Sequence, residues 1–119
     1  VGLARSRAAG KVALKRLAKA NSLLGRDNAE KFYAEIHLAM LSYLADKFNI
    51  SPHGLTSDSI KTLLLEKKAD SDLVESIMAV IKRCDFARFA SSAQTPGDEK
   101  ETLEATSRII VKLEGVKFD

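Results

Sequence analysis

The stretch RCDFARFASS, residues 83–92, gathers the residue types best suited to chemistry in this chain. It holds the one cysteine, Cys84, between Arg83 and Asp85, with Phe86, Arg88 and Phe89 close behind. A cysteine nucleophile needs its thiolate, which requires a nearby cation or a histidine base. His37 and His53 are distant in sequence, so only the fold can bring either one to the thiol. Two histidines sixteen residues apart, with no second cysteine, make no metal-ligand pattern. Asp70 and Asp72 stand as they would in a calcium loop, but the glycine and the twelfth-position glutamate are missing. The sequence has no phosphate-cradling glycine loop, zinc-protease helix or nucleophile elbow. No catalytic, cofactor-binding or metal-ligating residue is assigned.

The elements that must position these residues are helices, because every long segment repeats its apolar residues at helical spacing. In the first, Leu3, Gly10, Leu17 and Leu24 recur every seven residues, with Ala13, Leu14 and Ala20 in the same stripe. Lys11, Lys15 and Lys19 project together from the opposite side. Gly25 suits the helix end, since glycine tolerates the left-handed conformation. Asp27 and Glu30 then have capping-box spacing. The second helix, about 28–49, carries Phe32, Tyr33, Ile36, Met40, Leu41, Tyr43, Leu44 and Phe48, and is expected to be the most buried. NISPHG breaks it, through Pro52 and Gly54. Thr56 caps a short third helix with Ile60, Leu63 and Leu64. KKADSD interrupts again, and Asp70 or Ser71 caps a fourth helix. Its apolar face is Leu73, Ile77, Val80, Ile81 and Cys84. In SSAQTPGDEK, Thr95 is placed as N-cap and Pro96 as first helical residue, with Asp98, Glu99 and Glu101 at the positive helix start. The last helix, to about Glu114, buries Leu103, Thr106, Ile109, Ile110 and Leu113. The expected fold is an all-α compact bundle of four long helices and one short one.

This geometry redirects the reading of the opening stretch. Cys84 falls in the middle of an apolar stripe, where burial raises the thiol pKa and makes the residue a small hydrophobe. The alternative is a reactive cysteine. Arg88 would share that face if the helix continued. The helix is therefore expected to end near Phe86, or Arg88 to be held by a carboxylate such as Asp46 or Asp85. Phe86 and Phe89 would then plug the bundle end. His37, one turn after Tyr33, is expected half-buried and hydrogen-bonded to a neighbour, and His53 solvated in its turn.

At 119 residues, 45% hydrophobic and 29% charged, the chain has the size and composition of one globular domain. One cysteine excludes an internal disulfide and suits a reducing compartment. No segment approaches the roughly 18 apolar residues of a membrane span, and the N-terminal stretch lacks the apolar core of a signal peptide. The start on Val1 fits a fragment of a longer protein. Net charge is +3, but residues 1–26 contain seven bases and no acid, while the rest holds 12 bases and 16 acids. The basic character belongs to the first helix alone.

The stretches FYAEIHLAMLSYLADKFNI, LTSDSIKTLL and RCDFARFA, in that order behind a basic Ala/Lys/Leu-rich lead-in, resemble the cytoplasmic C-terminal region of BatD-type oxygen-tolerance proteins. The resemblance covers about residues 5–115 and rests on apolar and capping positions; it implies a glycine-containing turn where KKAD stands. It implies a bacterial single-pass membrane protein with this domain on the cytoplasmic side of the inner membrane, so that residues 1–26 would be a juxtamembrane helix leading into a bundle over 27–119. It also implies protein partners: von Willebrand-factor-A-type proteins and a MoxR-type AAA+ ATPase, in oxygen tolerance or envelope stress. Basic residues just inside a membrane span accord with the positive-inside rule. The function expected is a non-enzymatic interaction or scaffold module, with Lys11, Lys15 and Lys19 contacting the membrane surface or a partner. Two other classes stand against it. One is a nucleic-acid-binding domain using the basic first helix, disfavoured by an acidic body and by acids at the start of the fourth helix. The other is a small enzyme using Cys84.

Overall fold

The computed structural model describes residues 2–25, 28–51, 53–90 and 95–116, with side chains from Arg7 onward except that of Pro96. Five helices follow in order: α1 (Gly2–Ser22), α2 (Ala29–Lys47), α3 (Ser57–Glu66), α4 (Ser71–Phe89) and α5 (Pro96–Glu114). Four are long, α3 is short, and there is no strand among the described residues. The fold is an all-α bundle.

α2 is the central helix, with Phe32, Tyr33, Ile36, Met40, Tyr43 and Leu44 all buried. Apolar residues cover so much of its circumference that α1, α4 and α5 can all pack on it. Pairings at the two ends set directions. Lys19 meets Glu35 and Gly25 meets Glu99 at one end, while Tyr43 meets Glu114 at the other. α1 therefore runs antiparallel to α2 and α5, which are parallel to each other. α4 adds Leu73, Ile77, Val80, Ile81 and Cys84 to the core, and α3 lies on α4 through Ile60 and Leu64.

The helix boundaries follow local chemistry. Thr56 and Thr95 each accept a hydrogen bond from the backbone N–H three residues on, and the Ser59 and Asp98 side chains in turn accept one from the cap N–H. The cap bonds and, less strongly, Arg83 hold the Asp98 carboxyl below the usual carboxylate range. α2 starts at the N-cap Asn28, which makes no side-chain cap bond. Asp27, and with it the expected Asp27–Glu30 capping box, lies outside the described residues. So does Pro52, although α2 has already ended before it. Asn49 turns left-handed at φ 54°, the Ile50 N–H donates to the Ala45 carbonyl, and the Asn49 N–H donates to that of Asp46. This is a Schellman end. α3 ends the same way in KKAD, with Lys68 at φ 58° and the Ala69 N–H donating to the Leu64 carbonyl. The turn that lacks the expected glycine keeps the glycine geometry, at a conformational cost of about 1–2 kcal/mol.

Two boundary expectations are corrected. α4 does not stop near Phe86 but continues to Phe89. The stripe that α1 buries is Ala9, Gly10, Ala13, Leu17 and Ala20, whereas Leu14 is 49% exposed. One residue step on a helix is about 100°, which carries Leu14 off the face that Ala13 occupies.

Candidate functional site

Cys84 lies in the core between the other apolar residues of α4, fully buried. Burial, with Asp85 beside it, pushes the thiol up to about 12. At neutral pH it is a thiol and not a thiolate, so the group lacks the form in which cysteine attacks. Neither histidine is bonded to it: the His37 ring is engaged by Arg88, and His53 is exposed in the turn after α2.

That pairing corrects the expectation for Arg88. Its hydrogen bond runs to His37 Nδ1, at 2.7 Å, and not to Asp46 or Asp85. Guanidinium can only donate, so Nδ1 accepts and the ring proton sits on Nε2, facing Asp85 Oδ1 at 4.0 Å. His37 is half-buried, and its pKa is lowered first by burial and then by the Arg88 charge, against an upward pull from Asp85. The cluster is a clasp between α2 and α4 with a neutral imidazole at its centre. Arg88 itself remains at the surface.

Phe86 and Phe89 do not plug the bundle; they are 59% and 92% exposed. The physical reason is the extra turn of α4. In a continuing helix they lie two and five residues after Cys84, about 200° and 140° away from its buried direction. Tyr33, by contrast, is fully buried, edge-on to Phe32 with ring centroids 5.1 Å apart. Burial raises its pKa, against a smaller lowering pull from the Thr102 side chain. Lys11, Lys15 and Lys19 are all exposed on α1. Lys19 is also tied to Glu35 of α2 at 3.2 Å, which leaves Lys11 and Lys15 as the unpaired members of the three.

Two polar contacts escaped the sequence. At the foot of the bundle the buried Tyr43 hydroxyl donates to Glu114 Oε2 at 2.6 Å, and Lys47 Nζ reaches the same oxygen at 3.2 Å. Burial and the Glu114 carboxylate together raise the Tyr43 pKa. The Glu114 side chain lies directly over Gly10 of α1, where a β-carbon would come within 2.7 Å of its carboxyl carbon. A tyrosine, a lysine and a glutamate thus lock α1, α2 and α5. At the opposite end Glu99, almost fully buried, accepts the Gly25 N–H at 3.0 Å. The expected role of Glu99 was only to favour a helix start. Its spacing gives no hint that it also ties down the turn that follows α1.

A groove of about 670 Å³ runs between α4 and α5. Leu73, Ala79, Val80, Ala105 and Ile109 supply apolar lining, and Arg83, Arg108, Lys112 and Glu101 supply charge. Among the described residues no group of three or more His, Cys, Asp or Glu side chains could hold a metal ion. Among the described residues no helix is long and apolar enough to cross a membrane. Compared with protein families, curated proteins and solved structures, the chain has no significant match.

Proposed function

We propose that this chain is a non-enzymatic helical interaction module at the cytoplasmic face of a bacterial membrane, as its resemblance to the BatD-type C-terminal region implies. The partners that follow from that resemblance are von Willebrand-factor-A-type proteins and a MoxR-type ATPase. The observation that carries the reading is the two-sided character of α1. Its small-residue stripe is buried against the bundle, while Lys11 and Lys15 are exposed and unpaired and Lys19 is exposed beside Glu35. The module thereby presents positive charge without loosening its core.

An anionic leaflet attracts each such base by about 1 kcal/mol, and the attraction fades over a Debye length of about 8–10 Å. Lys11 and Lys19 are about 12 Å apart along the helix axis. All three bases gain fully only if α1 lies along the surface rather than standing on it. Vesicle sedimentation tests this with the wild-type chain and a Lys11→Gln/Lys15→Gln/Lys19→Gln variant. Wild type should bind anionic vesicles at low salt, and the variant roughly 100-fold more weakly, with both failing on neutral lipid or at high salt. Equal sedimentation of wild type and variant on anionic lipid removes the membrane-surface role.

A further inference from the structure

We infer that the α4–α5 groove is a docking site for an acidic amphipathic helix of a partner protein, about three turns long. This deepens the interaction-module reading and rests on it. The dimensions come from the walls. Leu73 to Arg83 on α4, and Thr102 to Lys112 on α5, each extend about 15 Å, the length of three helical turns. The floor is apolar, through Leu73, Val80 and Ile109, and small residues at Ala79 and Ala105 let another backbone approach closely. A groove between two helices with an open top and an apolar floor suits a third helix laid into it, with anchors at i, i+3 or i+4, and i+7.

The charge selects the partner's sign. Three bases and one acid line this groove, in a body (residues 27–119) where acids outnumber bases 16 to 12. Arg108 and Lys112 stand one turn apart on α5, and neither has an ion-pair partner among the described residues. Like charges at that spacing destabilise an isolated helix, so an anion beside them relieves a repulsion built into the free protein. Arg83 lines the other bank on α4, at the end of the groove nearer the start of α5, where it leans only loosely on Asp98, at 3.9 Å. Carboxylates flanking the apolar stripe of an incoming helix would meet bases on both banks. A nucleic acid would meet the same bases, but its phosphates have no use for the apolar floor.

The test is a display selection with helical peptides of about 14 residues, holding an apolar stripe and randomising the flanking positions. Selection on wild type, counter-selected on Arg108→Glu/Lys112→Glu, should enrich Asp and Glu at the flanks. Both substituted side chains are exposed, so the variant keeps its fold, which circular dichroism verifies. The enriched peptide should bind the variant at least tenfold more weakly and shift amide resonances of α4 and α5. Four results overturn the proposal: no peptide enriched over the variant, flanks without acidic bias, resonance shifts confined to other helices, or self-association of wild type that the same two substitutions abolish. The last would make a second copy of this chain the occupant. Vesicle binding through α1 is measured on the chain with Arg108 and Lys112 intact, so loss of the groove result alone leaves the membrane-module reading standing.

Discussion

The α1–α2 seam and the α4–α5 seam are both built with small residues, yet one is closed and the other open. In the first, Ala9, Gly10, Ala13 and Ala20 are buried without remainder. In the second, Ala105 is half-covered and Ser76 and Ala79 are exposed. The difference lies in what each small residue faces. α1 lays its alanines against the helix that carries Phe32, Ile36 and Met40, so large side chains fill the space the small ones leave. α4 turns Ile77, Ile81 and Cys84 into the core and offers small residues to Ala105 across the groove. Small on large closes a seam; small on small leaves a channel unless something else enters it.

Enlarging one alanine in each seam should separate them most widely. Ala13→Leu forces about three extra carbons into a filled interior and should cost roughly 2–3 kcal/mol in urea denaturation. Ala105→Leu enters open space and should change stability by no more than about 0.5–1 kcal/mol, in either direction. Equal costs at the two sites would break the comparison. A near-neutral Ala105→Leu that also blocks the acidic peptide would sharpen it, because filling the groove and losing the ligand would then be one event.

The lock over Gly10 gives a second, smaller test of the closed seam. Glu114→Ala leaves the buried Tyr43 hydroxyl without its acceptor and should cost about 1–3 kcal/mol. Gly10→Ala gains about 1 kcal/mol of helix propensity but drives the Glu114 carboxyl from its place. Its net effect should therefore be neutral to destabilising in wild type and favourable by about 1 kcal/mol in the Glu114→Ala background. The sign change across the double-mutant cycle is the measurement, and a favourable effect in both backgrounds would show that Glu114 moves aside freely.

Much of this architecture is legible in the sequence, and the limits have a common cause. The 3.6-residue period exposes the buried faces of α2 and α4, including the place of Cys84, because periodicity is a property of one helix at a time. Thr56 and Thr95 announce their caps for the same reason. What periodicity does not contain is the identity of the neighbour. Glu99 reads as a helix-start acid, yet it holds the Gly25 N–H from 74 residues away. Glu114 reads as a helix end, although it is the centre of the lock. A helix end near Phe86 would let Phe86 and Phe89 fold inward, but α4 runs on to Phe89 and leaves both in solvent. The α4–α5 groove is invisible for a related reason: each flank looks like an ordinary mixed helix surface until the two are set side by side.

The seam between α2 and α4 stands between the two extremes, filled with side chains but finished by a polar clasp, and it yields the smallest effect. Had Arg88 been held by a buried carboxylate, Arg88→Ala would cost roughly 1–4 kcal/mol. Its partner is instead the neutral ring of His37, and the arginine is exposed, so the expected loss at pH 7.5 is about 0.5–1 kcal/mol. The pH dependence identifies the partner. The folded-state pKa of His37 lies below its ordinary 6.5, so the unfolded chain binds more protons just below that value. Wild type therefore keeps the His37 contribution above about pH 6.5 and loses it as pH falls through the folded pKa. Removing Arg88 removes one of the two causes of the depression and leaves burial, the larger one, in place. The variant should lose less stability in acid, and the gap between the two proteins should narrow from pH 7.5 to pH 5. A gap that holds constant or widens over that range would mean that Arg88 does not act on His37, and that the clasp is a surface contact without a role in closing the seam.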